Sequence, residues 1–251
     1  MVIVSASEEQ DRRRRWANGR LGARPGPPTT AIAAAPARGL YVPGLYVPGL
    51  YALGLAAARD ALLYVPATDR SDRPAPLAVM LHGAGGAAER TMSHQRDLAE
   101  ALGIVLLVPP SRRQTWDVLL GGYGPDVAFI DAALAATFAR CAVDPRRAAV
   151  GGFSDGASYA LSLGLTNGDL FTHVIAFSPG FMAPAAEAGM PRCYVSHGTR
   201  DAVLPIDRCS RRLVPELRRA GYDVLYHEFD GPHVVPPEVA REAMDWLVGA
   251  A

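Results

Sequence analysis

From residue 59 onward, short apolar runs alternate with longer stretches of helical patterning, and this alternation limits the chain to few architectures. The runs fall at 61–65, 77–83, 104–110, 147–153, 173–179, 193–198 and 224–229. Several, such as "LAVMLHG" and "IVLLVPP", are continuously apolar, as strands covered on both faces must be. Stretches near 90–102, 126–140, 155–166, 207–220 and 236–248 read as helices between them. Strand alternating with helix predicts an α/β fold, a mostly parallel central sheet with helices on both faces. In such sheets ligands bind beyond the carboxyl ends of the strands, so reactive side chains are expected just after each run.

Residues 1–58 differ in kind. They are rich in Arg, Pro, Gly and Ala with little periodicity, which predicts an irregular lead-in preceding a single domain over 59–251. The run Arg12–Arg15 reads as a solvated charged tail rather than a binding site. "LYVPGLYVPGLY" holds too few copies of its five-residue unit for a repeat architecture.

Lys plus Arg equals Asp plus Glu, at 25 each, so no net field favours nucleic acid as a partner. No apolar run approaches the ~20 residues of a membrane span. The first residues carry acids and arginines after a short apolar start, the reverse of a secretion signal, and a cytoplasmic location is expected. Cys141, Cys193 and Cys209 form no Cys-x-x-Cys pair, so neither a disulfide framework nor a zinc site is indicated.

The run at 147–153 ends in Gly152-Phe153-Ser154-Asp155-Gly156 and restarts at once as a helix. A serine there sits on a sharp, strained turn, and small neighbours let adjacent chains pack close. The spacing alone is common in a glycine-rich chain; its place between strand and helix is what points to a nucleophile. A serine hydroxyl needs a base and an acid that orients the base. Asp201 in "HGTRDAVLP" and His233 in "DGPHVVPPE" follow the next strands, in the order serine, acid, histidine. His197 is the chief rival base, ahead of His227 and His173, which fall within or at the start of strand patterns; Asp207 and Asp230 are the rival acids.

An ester's tetrahedral intermediate also needs donors for its oxyanion. The glycine-rich turn "HGAGG" offers the backbone N–H of Ala84, with Gly83 as the neighbouring possibility, and Asp155 offers a second. The turn lacks the Gly-Lys-Ser/Thr ending of a phosphate-binding loop. The loop 111–124 is expected to overhang the site and to supply a wall through Trp116 and Tyr123, the alternative being that Trp116 anchors the loop.

On "LHGAGG", "GGFSDGAS", "HGTRDAVLP" and "DGPHVVPPEV", residues 59–249 resemble a small α/β-hydrolase of the phospholipase/carboxylesterase type, with kinship to feruloyl esterases and polyhydroxybutyrate depolymerases. The resemblance implies a Ser154, Asp201, His233 triad that hydrolyses carboxylic esters through an acyl-enzyme, with no metal or organic cofactor. Asp155 departs from the glutamine or small residue common after the serine in this group. Only a dozen or so residues separate "AFSPG" from "CYVSHG", too few for a lid domain, so short-chain or aryl esters are the expected substrates. A thioesterase or lysophospholipase is the alternative within the fold, and a catalytically silent ligand-binding module the alternative outside enzymes. Oligomeric state is left open.

Overall fold

The structure, a computed structural model, describes residues 5–26, 49–67 and 73–249. Its centre is an eight-stranded sheet, built from β1 (Gly49–Ala52), β2 (Leu62–Val65), β3 (Ala75–Leu81), β4 (Val105–Val108), β5 (Val143–Phe153), β6 (His173–Phe177), β7 (Arg192–Gly198) and β8 (Val224–Phe229). The spatial order is β1-β2-β4-β3-β5-β6-β7-β8; β2 pairs antiparallel with both β1 and β4, and the remaining neighbours are parallel. The helices are α1 (Ala6–Ala17), α2 (Ala88–Leu102), α3 (Pro125–Phe138), α4 (Asp155–Thr166), α5 (Ser210–Arg219) and α6 (Pro237–Val248).

Every residue of β3, β4 and β6 is buried, which explains why these strands read as unbroken apolar runs. The two-residue period of a strand then divides the core in two. Leu77, Val79 and Leu81 of β3 join the cluster beneath α3, α4 and α5, while Ala78 and Met80 join the cluster beneath α2 and α6. Burying a side chain of this size contributes roughly 1.5–3 kcal/mol, so the alternation fixes the strand register against a one-residue slip. Residues 178–191 link β6 to β7 without a helix, so no lid rises there.

Within the described part of residues 1–58, α1 and β1 depart from the expected irregularity, while 20–26 and 53–58 form neither helix nor strand. Ser5 and Glu8 form a reciprocal capping box, and α1 follows from it. The chain after α1 then docks on the domain through polar contacts. Asp131 on α3 accepts from the backbone N–H of Gly22 and Ala23, both at 2.7 Å, and from Trp16 Nε1 at 2.9 Å. Asn167 accepts from Leu21 N–H at 2.9 Å and donates to Gly19 O at 2.7 Å. β1 belongs to the sheet, so the sheet begins before residue 59. Most of "LYVPGLYVPGLY" lies outside the described residues. All three cysteines are buried, and none is in a disulfide.

His173 opens β6 edge-on to Trp246 at 4.7 Å, only 7% exposed. Burial, then the nearby Arg192 guanidinium, pushes its pKa down to about 4 from an ordinary 6.5. Between those values the unfolded chain holds a proton that the folded chain refuses. The contribution is therefore intact above pH 6.5 and lost as pH falls toward 4, on the order of 2–3 kcal/mol. Urea midpoints of wild type and His173→Gln are expected to converge between pH 7 and pH 4.5; parallel curves would show that His173 does not govern this loss.

Candidate active site

β5 delivers Ser154 directly into α4, with φ 58° and ψ −119°, a left-handed strain that a non-glycine residue adopts only when its surroundings enforce it. The enforcement is visible. Ser154 N–H donates to Phe177 O on β6 at 2.9 Å, and two glycines permit backbones to touch on either side. A Cβ on Gly152 would lie 2.5 Å from the Gly156 carbonyl, and one on Gly156 would lie 2.3 Å from Leu81 O and 2.5 Å from His82 O.

The loops after β7 and β8 bring the other two residues to this turn. His233 Nε2 stands 3.0 Å from Ser154 Oγ, and His233 Nδ1 stands 2.5 Å from Asp201 Oδ2. Asp201 can only accept, so Nδ1 carries the proton and Nε2 faces the serine with its lone pair. Burial alone would raise the Asp201 carboxyl. Hydrogen bonds from Leu204 N–H and Val203 N–H to Oδ1, together with His233, outweigh it and hold the group below its ordinary value. The ring of Phe153 packs on His233 at 4.6 Å, limiting where the imidazole can swing.

The rival residues are otherwise occupied. His197 is fully buried; its Nε2 lies 2.8 Å from Leu204 O and 3.2 Å from Asp201 Oδ2, both acceptors, so Nε2 is protonated and Nδ1 accepts from Ser210 Oγ at 2.6 Å. It steadies Asp201 and does not reach the serine. His227 pairs with Glu242, Asp207 with Arg211, and Asp230 with Arg200.

The turn after β3 lies against Ser154, since a Cβ on Gly83 would be 3.4 Å from Ser154 Cβ. Asp155 is the first residue of α4, where a helix leaves its backbone N–H free for an outside acceptor. Both elements are braced by one loop. Gln114 O accepts from Gly85 N–H at 2.8 Å, Thr115 Oγ1 donates to Asp155 Oδ2 at 2.6 Å, and Trp116 Nε1 donates to His82 O at 2.9 Å. Ser111 N–H donates to His82 Nε2 at 3.0 Å, which leaves Nδ1–H for Gly83 O at 2.7 Å. His82 is thus a neutral cross-link, its pKa lowered chiefly by burial. Nothing in the sequence beyond its place in "LHGAGG" marks His82 for this work.

The expected wall does not form. Trp116 is 0% exposed, stacked on Tyr159 at 5.0 Å, because a buried indole needs an acceptor for its N–H and the His82 carbonyl supplies it. The Tyr123 ring packs over Gly19 and its hydroxyl donates to Ala183 O at 2.8 Å. Neither residue lines the cavity beside His233. That cavity, of about 630 Å³, opens between α2 and α6, and Gly83, Ala84, Phe153 and His233 are among the residues that bound it. No cluster of His, Cys, Asp or Glu among the described residues has the arrangement of a metal site, and no helix among them is long and apolar enough to cross a membrane.

No family model matches the chain, and no curated protein matches it either. Solved structures do. Esterase PE8 superposes with a TM-score of 0.61 at 22% identity, over 75% of this chain and 97% of that one. A CE1 ferulic acid esterase from Anaeromyces mucronatus, in complex with ferulic acid, gives 0.63 at 15% identity, over 82% and 93%. The fluorophosphonate-binding serine hydrolase FphF of Staphylococcus aureus gives 0.63 at 13% identity, over 80% and 98%. The chain has the α/β-hydrolase fold.

Proposed function

We propose that this protein is a serine hydrolase that cleaves short-chain or aryl carboxylic esters through an acyl-enzyme. The observation that carries the proposal is the unbroken hydrogen-bond chain from Asp201 through His233 to Ser154, ending at an oxygen on a strained turn. His233 Nε2 takes the proton as Ser154 Oγ attacks the ester carbonyl. Asp201 keeps the imidazole in the tautomer that accepts this proton and stabilises the imidazolium that results. The N–H groups of Ala84 and Asp155 receive the oxyanion, and each such donor is worth about two to three decades of rate. His233 then protonates the leaving alcohol. Water, activated by the same imidazole, attacks the acyl-enzyme and releases the acid. The lidless connection at 178–191 supports substrates that enter from solution.

The test is hydrolysis of p-nitrophenyl esters from acetate to palmitate, paired with mass spectrometry after a fluorophosphonate probe. Turnover concentrated in the short esters is expected, together with a stoichiometric adduct on the peptide holding Ser154. An inert protein that takes up no probe would return the chain to the reading of a silent binding module.

A further inference from the structure

The cavity beside His233 has a chemical direction. Its inner wall is apolar, made by Met80, Phe177, Val235 and Ala240. Its outer wall is one face of α2, where Arg90, Thr91, His94 and Gln95 recur at the three- and four-residue spacing that aligns side chains along a helix. Arg90 is exposed and has no ion-pair partner among the described residues. No Asp or Glu lines the cavity. The carboxylate nearest the nucleophile in sequence, Asp155, is held by Thr115 from the braced loop and takes no part in this wall. The cavity that adjoins His233 thus offers apolar surface and one unpaired guanidinium.

We propose that the substrate is an ester that carries a second, anionic carboxylate at the far end of an apolar spacer, and that Arg90 receives that carboxylate. This rests on the hydrolase reading above and narrows it. A guanidinium offers a fork of donors that fits a carboxylate with two parallel hydrogen bonds. A neutral ester of the same length leaves that fork to water. Being near the surface, the pairing is weakened by salt.

The test compares mono-p-nitrophenyl half-esters of adipate, pimelate and suberate with p-nitrophenyl alkanoates of equal chain length, in wild type, Arg90→Gln and Arg90→Glu. The quantity read is the ratio of kcat/KM for half-ester over alkanoate, corrected for the buffer rate. For at least one spacer length the ratio is expected to fall about tenfold in Arg90→Gln, to fall further in Arg90→Glu, and to shrink in wild type as salt rises. In parallel, titration calorimetry follows monomethyl suberate binding to Ser154→Ala with and without Arg90→Gln, a readout that needs no turnover. Binding that is lost with Arg90 while every ester stays intact would sink the hydrolase reading and leave the anion site standing. Ester turnover with the same ratio in all three proteins, and binding indifferent to Arg90, would overturn the anion site alone.

Discussion

Ser154→Ala is expected to lower kcat/KM for a short p-nitrophenyl ester by about four to six decades, with His233→Ala close behind and the double variant no worse than the worse single one. The two side chains share one proton transfer, so once either is missing the other has nothing to do. Asp201→Asn isolates a different part of the mechanism. Oδ1 already accepts from Val203 and Leu204 N–H, so the new amide turns its NH₂ toward His233 Nδ1. His233 must then carry its proton on Nε2, where it can no longer accept from the serine. Thermal melts within a few degrees of wild type would show that the losses are chemical. Ser154→Ala retaining more than a hundredth of the wild-type rate would remove the serine from the mechanism.

The second large effect is mechanical. Gly156→Ala places a methyl 2.3 Å from Leu81 O and 2.5 Å from His82 O, and neither atom belongs to a side chain that can rotate away. The end of β3 and the start of α4 have to part. Overpacking against backbone of this kind costs about 3 kcal/mol or more, which for a domain of this size lowers Tm by roughly 6–12 °C. Activity should fall further than stability alone explains, because Leu81 and His82 carry the turn that holds Gly83 and Ala84. Gly26→Ala, whose added methyl meets nothing within 4 Å, is the control and should shift Tm by less than ~2 °C. A Gly156→Ala protein with wild-type Tm and rate would mean that the elbow is looser than its contacts imply.

The parts of the chain that were legible as sequence share a physical cause. α4 runs over the expected 155–166 and β7 over 192–198 where 193–198 is expected, and Ser154, Asp201 and His233 stand at strand ends where an α/β sheet gathers its chemistry. In each case burial on one or two faces imposes a period or an unbroken apolar run, and such patterns survive in one dimension. β1 has no such imprint: it is an edge strand of half-exposed and exposed residues. α1 buries none of its residues, so no apolar stripe announces it, although the Ser5-Ala-Ser-Glu8 cap was there to be read. Trp116 failed for a third reason. A loop has no period, so nothing local tells whether its aromatic faces a substrate or the back of the turn after β3.

The sockets offered by Asp131 and Asn167 have a practical corollary. They grip residues 16–23 by at least five hydrogen bonds, and Arg20 and Arg24 both pair with Asp169 beside them, so the segment is held by its own contacts as well as by the peptide chain. In this respect the N-terminus behaves as a tethered ligand of its own domain. A segment gripped in this way is held on its domain by specific sockets and not by its covalent link alone.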